Sequence, residues 1–219
     1  MKKLIIFGIG EQAEMAYYYF TNDSDYKVIG FTVNKEYINE NTLFDLPIFE
    51  FEKIEDKYPV DQVELFVAIG YSKVNKVRTE KYLEIKNKGY KLASYISSKA
   101  TILTDKIGDN CFILEDNTVQ PFVTLGNNIT LWSGNHIGHH TTIKDNCFVT
   151  SHVVISGGCE IDENTFIGVN ATLRDHIKVG KSNVIGAGAL ILSDTEDNKV
   201  FMANATEASR VPSNRLRGI

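Results

Sequence analysis

Residues 107–191 read, six at a time, IGDNCF ILEDNT VQPFVT LGNNIT LWSGNH IGHHTT IKDNCF VTSHVV ISGGCE IDENTF IGVNAT LRDHIK VGKSNV IGAGAL I. An isoleucine, leucine or valine opens every group, so the series has 15 positions without a miss. An amphipathic helix repeats about every 3.6 residues and a half-buried strand about every two, so neither produces this period. A parallel β-helix of stacked hexapeptides does produce it. With three hexapeptides to one triangular coil, the series predicts a prism of about five coils.

A second position of each hexapeptide is also predicted to point inward. Four residues after the aliphatic residue comes a smaller one at most steps, and all three cysteines of the chain, Cys111, Cys147 and Cys159, fall in this slot. A small buried side chain is the usual role of a free cysteine. The pattern therefore predicts three buried thiols rather than catalytic, metal-binding or disulfide-bonded cysteines.

Length, charge and hydropathy narrow the class of protein. The chain has 219 residues and a net charge of −5, which gives no support to a nucleic-acid partner. No apolar run reaches the length of a bilayer span, and the apolar part of Met1–Phe7 is too short for a signal peptide. We expect a cytoplasmic protein without a membrane partner.

The first 98 residues alternate strand and helix patterns. The predicted elements, in order, are a strand at 3–7, a helix at 13–20, strands at 26–33 and 63–69, a helix at 73–88 and a strand at 91–96. Residues 35–60 are expected to be irregular apart from an extended piece at 46–49. Strands alternating with helices predict a small parallel sheet, with ligands bound where its strands end. We expect a domain at 1–98, and a second at 99–219 that begins with an imperfect coil at 101–105 and ends in a polar loop at 193–199 and a tail.

Each hexapeptide supplies one corner of the triangle, at the second and third residues after its aliphatic residue. Corners eighteen residues apart stack into three columns, which we name the asparagine corner, the histidine corner and the Glu115 corner. The asparagine corner has members 109–110, 127–128, 145–146, 163–164 and 181–182. The histidine corner has members 121–122, 139–140, 157–158 and 175–176. The Glu115 corner has members 115–116, 133–134, 151–152, 169–170 and 187–188.

Asparagine tolerates the left-handed turn of such a corner, so the asparagine corner is predicted to be structural and solvated. Function is expected at the other two, which hold four of the five histidines. One coil rises about 4.8 Å, so Gly157 should lie directly above His139. An amide at Gly157 could then face the same reacting atom as the imidazole.

The repeat, Ile137-Gly138-His139-His140, Gly157 and the turn at 186–188 resemble the left-handed β-helix sugar acyltransferases. Together with its first domain, the chain resembles the group of sialic-acid O-acetyltransferases and bacillosamine N-acetyltransferases. The resemblance implies a small N-terminal Rossmann-like parallel sheet followed by a left-handed parallel β-helix. It also implies a homotrimer, with acetyl-CoA between neighbouring prisms and a nucleotide-linked amino sugar in the N-terminal domain.

The resemblance further implies roles for individual residues. His139 would be the general base that takes a proton from the attacking amine or hydroxyl. The amide of Gly157 would donate to the thioester oxygen. His140, the third candidate catalytic residue, stands where the family usually has a carboxylate that raises the basicity of the base, so either another acid, for example from a neighbouring chain, takes that role or the base is weaker. The expected acetyl-CoA contacts are Phe148, Gly157, Val169 and Ala187. The expected substrate contacts are Gly8, Gln12, Asn34, Gly70 and Tyr71.

The residues 32–34 (Thr-Val-Asn) stand where the family has an acidic pair, so the identity of the nucleotide stays open. The predicted function is N-acetylation of a nucleotide-linked amino sugar by direct attack on acetyl-CoA. The alternatives are O-acetylation of a sialic-acid-like sugar and a non-catalytic, trimeric ligand-binding scaffold. His136, His139 and His140 do not predict a metal site, because their spacing would converge on a helix but not on a strand and its corner. Trp132 is predicted to point outward and contact another subunit.

Overall fold

The computed structural model describes residues 1–215. Residues 1–92 form a sheet with the strand order β3-β4-β2-β1-β5-β6, in which β3 alone is antiparallel to its neighbour. Its elements are β1 (Lys2–Phe7), α1 (Glu11–Asn22), β2 (Tyr26–Val33), β3 (Thr42–Leu43), β4 (Leu46–Glu50), α2 (Ile54–Lys57), β5 (Glu64–Val67), α3 (Lys76–Asn87) and β6 (Lys91–Leu92). Short 3-10 helices lie at Lys35–Tyr37, Phe51–Lys53 and Ser213–Arg215.

Residues 4–7 of strand β1 are all apolar because both faces of the sheet are covered. Leu4 and Ile6 pack in a cluster with α1, whereas Ile5 and Phe7 pack on the other face in a cluster with α2 and α3. The predicted alternation of strands and helices is confirmed. The extended piece predicted at 46–49 is β4, and the segment 35–60 is otherwise more regular than expected, because it also contains β3, α2 and two short 3-10 helices.

The prism consists of two-residue strands separated by turns, as the period of six predicts. Its strands are β7 (Tyr95–Ile96), β8 (Thr101–Ile102), β9 (Phe112–Ile113), β10 (Thr118–Val119), β11 (Thr124–Leu125), β12 (Thr130–Leu131), β13 (His136–Ile137), β14 (Thr142–Ile143), β15 (Phe148–Val149), β16 (Val154–Ile155), β17 (Glu160–Ile161), β18 (Phe166–Ile167), β19 (Thr172–Leu173), β20 (Lys178–Val179), β21 (Val184–Ile185), β22 (Leu190–Ile191) and β23 (Val200–Phe201). All ladders between them are parallel, and most partners are eighteen residues apart.

Three sheets form the three faces of the prism. We name them the covered face (β23-β21-β18-β15-β12-β9-β7), the apolar face (β22-β19-β16-β13-β10-β8) and the charged face (β11-β14-β17-β20). The predicted aliphatic series fills the interior: every member from 113 to 191 is at most 5% exposed, and Ile107 packs against this core from its edge.

The second inward slot is buried as predicted. Cys111, Cys147 and Cys159 are at most 1% exposed and free, and burial raises the pKa of the Cys111 and Cys147 thiols to about 12. The slot is not confined to small residues, since Ile129 and Ile177 also occupy it.

The corners all use the left-handed backbone conformation. Every sixth residue from 110 to 188 has a positive φ, and only three of these 14 residues are glycine. Five are asparagine, which bears this conformation at lower cost than most residues.

The prediction that the asparagine corner is solvated is wrong for its first coils, although Glu163 and Lys181 of the later coils are exposed. Helix α3 covers this corner, and Asn110 and Asn128 are 2% and 0% exposed. Their side chains form a ladder, in which Asn110 Nδ2 donates to Asn128 Oδ1 at 2.7 Å and Asn128 Nδ2 donates to Asn146 Oδ1 at 2.8 Å. The repeat fixes the three corners, but it carries no signal for which corner a preceding helix covers.

Arg78 is the contact that fastens α3 to this corner. Its side chain is 1% exposed, and its guanidinium donates to the Asn128 carbonyl and side-chain oxygens and to the Asn146 and Cys147 carbonyls. It also lies 5.5 Å from the ring centroid of Phe148. Burial lowers the pKa of Arg78 to about 10, so the group remains charged at neutral pH.

The segment at 91–96 connects the N-terminal sheet to the prism. The predicted single strand at 91–96 is split: β6 joins the first sheet, whereas β7 pairs with β9 of the prism. Residues 95–96, which precede the predicted boundary at 98, therefore already belong to the prism. The imperfect first coil is confirmed by the pairing of β8 with β10, one residue out of step.

At the other end, the prism extends beyond the predicted polar loop. Thr195 bridges to Val179, and β23 pairs with β21 at a spacing of sixteen residues instead of eighteen. Residues 202–215 are exposed, and residues 216–219 of the predicted tail lie outside the described residues. Within residues 1–215, no helix has the length and hydropathy needed to cross a bilayer.

We expect Arg78→Met to lower the free energy of unfolding by about 3 kcal/mol, because several buried oxygens lose a charged donor. Urea denaturation followed by circular dichroism measures the change. Lys76→Met on the same helix removes an exposed cation and serves as the matched control. A loss for Arg78→Met no larger than that of the control would contradict the role assigned to Arg78.

Candidate active site

The N-terminal half occupies one face of the prism and both corners that flank it. Phe112, Leu114 and Trp132 of the covered face pack in the same cluster as α1. Helix α3 holds the asparagine corner, and the Tyr19 hydroxyl donates to Glu115 at 2.8 Å on the opposite side. Trp132 points outward from the prism, as predicted, and is partly buried against this cluster within its own chain.

The histidine corner is the one corner of the three that lies opposite the N-terminal half. It separates the apolar face from the charged face, and both imidazoles at 139 and 140 are exposed there. Within a single chain, these side chains therefore have no access to the N-terminal sheet.

His139 and Gly157 stack as their spacing predicts. A Cβ atom built on Gly157 would lie 2.6 Å from Cε1 and 2.8 Å from Nε2 of His139, so only glycine leaves room for this imidazole. The backbone of His139 is fixed at both ends: its N–H donates to Gln120 Oε1 at 2.8 Å, and its carbonyl accepts from Gly158 N at 2.8 Å. Among the hydrogen bonds of residues 1–215, none uses the Gly157 N–H.

The two histidines contact each other through their Nδ1 atoms, which are 3.1 Å apart. At this distance one nitrogen donates and the other accepts. When His139 donates, its Nε2 carries the free lone pair that a general base needs. His140 has the left-handed φ of the corner, +59°, and its ring lies 4.7 Å from that of Phe122.

A second candidate site lies in the N-terminal half, where β1, β2 and β5 end. A cavity of about 940 Å³ opens there, and four of the predicted substrate residues, Gly8, Gln12, Asn34 and Gly70, line it together. Gly8 has a φ of +131°, and a Cβ atom there would lie 2.7 Å from the Ala68 carbonyl oxygen, so the turn after β1 requires glycine.

Tyr71, the fifth predicted substrate residue, lies outside the lining of this cavity. Its ring packs 4.7 Å from Phe166 and 5.2 Å from Phe148 on the covered face. Sequence reasoning missed other lining residues, namely Glu36, Tyr37, Lys81 and Glu84. The last two belong to α3, and no sequence motif indicates that a helix between β5 and β6 reaches the end of β2.

The predicted acetyl-CoA residues are divided between faces and corners. Phe148 is 1% exposed beneath Arg78 and Tyr71, so its side chain has no accessible surface for a coenzyme. Val169 and Ala187 are exposed on successive rungs of the Glu115 corner, where Gly188 N donates to the Val169 carbonyl at 2.8 Å. In one chain, the apolar face separates them from His139.

No protein-family model and no curated protein matches this sequence. Solved structures do match. PerB from Caulobacter crescentus, in complex with CoA and GDP-perosamine, is 17% identical and superposes with a TM-score of 0.79 over 93% of this chain and 95% of its own.

WeeI from Acinetobacter baumannii is 16% identical, with a TM-score of 0.76 over 91% of this chain and 96% of its own. The acetyltransferase domain of PglB from Neisseria gonorrhoeae is 19% identical, with a TM-score of 0.62 over 93% and 97%. These likenesses span both halves of the chain, and they show that it has the hexapeptide-repeat, left-handed β-helix fold of sugar acetyltransferases.

Proposed function

We propose that this chain is an acetyl-CoA-dependent N-acetyltransferase that acts on a nucleotide-linked amino sugar. The observation that carries the proposal is the exposed His139 imidazole, which lies against the backbone of Gly157 beside an N–H free to bind an oxyanion. PerB, which has the same fold, is described as an N-acetyltransferase and was solved with CoA and GDP-perosamine. Variants of that enzyme with one histidine replaced by asparagine or alanine were solved with the same ligands.

The chemistry follows from these two groups. The neutral sugar amine attacks the thioester carbon, and His139 Nε2 takes the proton that the nitrogen loses as the N–C bond forms. The carbonyl oxygen gains negative charge in the tetrahedral intermediate, and the Gly157 N–H donates to it. The C–S bond then breaks, and the imidazolium returns the proton to the departing thiolate of CoA. No acetyl-enzyme forms, and the buried cysteines take no part.

The proposal includes a homotrimer, because one chain separates the parts of the site. The N-terminal cavity lies on the side of the covered face, whereas His139 lies at the opposite corner. A neighbouring prism would bring its own histidine corner to the Val169 and Ala187 corner of the first, with acetyl-CoA between them. The nucleotide would lie in the N-terminal cavity, against Gly8, Gln12 and Gly70.

The two open faces differ in a way that supports this contact. The charged face carries Lys144, Glu160 and Lys178, which form ion pairs at the surface. The apolar face instead exposes Val154 and Leu190, at 40% and 61%. Apolar surface of this kind is typical of subunit contacts, so we assign the apolar face to the trimer interface.

We further propose that the N-terminal sheet is Rossmann-like, because its central parallel strands end at the glycine turn and the cavity. The protein would work in the cytoplasm, whose reducing conditions suit three free thiols.

We expect His139→Ala to reduce kcat for acetyl transfer by about 100-fold or more, because the attacking amine loses its base. A thiol-release assay with acetyl-CoA and UDP-, dTDP- and GDP-linked amino sugars measures the rate. Glu160→Gln on the charged face is the control and should leave the rate unchanged. A folded assembly of the His139→Ala variant with full activity would refute the base, and preference for hydroxyl acceptors would refute N-acetylation.

We expect His140 to position the His139 ring by accepting a hydrogen bond from its Nδ1–H. Residue 140 has a left-handed φ, so His140→Gly removes the side chain without straining the backbone. We expect this variant to lower kcat about tenfold or more with little change in KM. His140→Asn and His140→Asp place an oxygen where Nδ1 was and should recover the activity. If the glycine variant is as fast as the unmodified protein, or the aspartate variant as slow as the glycine variant, His140 has no such role.

A further inference from the structure

The end of β2 is the place where a parallel sheet of this kind usually recognises a nucleoside, commonly with an acidic side chain. Asn34 stands there, but its side chain is already used. Its Oδ1 accepts from Lys81 Nζ at 3.0 Å, and its Nδ2 donates to Glu52 Oε1 at 2.7 Å. Asn34 therefore connects Lys81 to Glu52, and these two bonds fix the orientation of its amide.

Lys81 is held at the wall of the cavity by four neighbours. Its ammonium lies 5.0 Å from the ring centroid of Phe7 and 4.9 Å from that of Phe51, and it donates to Asn34 and Glu84. The side chain is only 15% exposed. An ammonium has three N–H donors, and within residues 1–215 two acceptors are engaged, so one donor remains for a group in the cavity.

The charges of the cavity indicate which part of a nucleotide meets Lys81. Four carboxylates line it, those of Glu11, Glu36, Glu80 and Glu84, whereas Lys81 is the one cation among its described lining residues. A diphosphate is repelled by the carboxylates of Glu36, Glu80 and Glu84. Its favourable place is the glycine turn before the twelve-residue helix α1, where the N-terminal N–H groups of the helix attract an anion and Glu11 is the one lining carboxylate that opposes it. The nucleoside then extends toward the end of β2, where Lys81 lies.

Tyr37 completes this end of the cavity. Its ring lines the cavity and is 59% exposed, so its face is open to a planar base. Tyr37 follows Asn34, the hydrogen-bond partner of Lys81, by three residues, and both Tyr37 and Lys81 line the cavity, so a base stacked on Tyr37 can present an edge to Lys81. An ammonium donates but cannot accept, so it favours a keto oxygen on that edge and disfavours an amino group, which would leave two donors opposed.

We propose that Lys81 selects the nucleobase of the substrate by donating to a keto oxygen on its edge. The protein then binds uracil, thymine or guanine nucleotides and discriminates against cytosine and adenine nucleotides. This inference rests on the proposed function, since it assigns the N-terminal cavity to a nucleotide.

Two pairs of ligands test the proposal, because UDP and CDP, and likewise IDP and ADP, differ by a keto or an amino group at corresponding positions without a further exocyclic group. Isothermal titration of the full chain should show tighter binding of at least one keto nucleotide than of its amino partner. The expected ratio is about tenfold or more, the size of one charge-assisted hydrogen bond. Lys81→Met, which keeps an unbranched side chain beside Phe7 and Phe51 but removes the ammonium, should abolish the ratio.

Lys81→Arg retains a donor and should preserve the preference, and Lys76→Met on the same helix is the matched control. A thermal melt of each variant establishes that it folds. Equal binding within both pairs, or a preference that survives Lys81→Met, overturns the inference while leaving the proposed acetyl transfer intact. If none of the four nucleotides binds, the nucleotide site itself fails, and the proposed function fails with it.

Discussion

From residue 112 to residue 191, each strand of the prism pairs with the strand eighteen positions earlier or later, because every coil closes a parallel ladder on the coil below it. This single constraint brings together side chains that are far apart in the chain. It sets the amide ladder of Asn110, Asn128 and Asn146, and it sets the imidazole of His139 against the backbone of Gly157. The constraint holds only while each corner turns through a left-handed residue, which explains why eleven residues other than glycine bear that conformation at the corners.

The N-terminal half is attached to this scaffold by polar contacts as much as by apolar ones. Arg78 is buried with its charge, and uncharged oxygens accept from both of its terminal nitrogens; those oxygens belong to the turns of two successive coils. Asp23 also holds the two halves together, on the side of the Glu115 corner, where its carboxylate accepts hydrogen bonds from Ser98 N and from the Tyr95 hydroxyl. These donors lower the pKa of the Asp23 carboxyl to about 2. Contacts at both flanking corners hold the cavity at a fixed place relative to the prism.

The sequence predicts the prism closely and its surroundings poorly, for a physical reason. A period of six reports which side chains point inward, so the core from 113 to 191, the buried thiols and the stacking of His139 on Gly157 could all be expected. The same period reports nothing about tertiary docking. The asparagine corner is therefore predicted to be solvated, and the family resemblance places acetyl-CoA at Phe148, whereas the docked N-terminal half buries Asn110, Asn128 and Phe148.

The same limit applies to the N-terminal cavity. Gly8, Gln12, Asn34 and Gly70 could be placed together, because they follow strands of one parallel sheet. Lys81 could not, since it reaches the cavity from the middle of a helix whose sequence shows no nucleotide-binding motif.

Central to the account is a site shared between chains, with the base from one and the nucleotide pocket from another. Two inactive variants test it directly: His139→Ala, which lacks the base, and Gly70→Trp, which fills the pocket at a glycine with open space around it. Co-expressed with different affinity tags, trimers that contain both chains can be purified in two steps. One of their three sites would combine an intact base with an intact pocket, so the account predicts about one third of full activity. Mixed trimers without activity would contradict it.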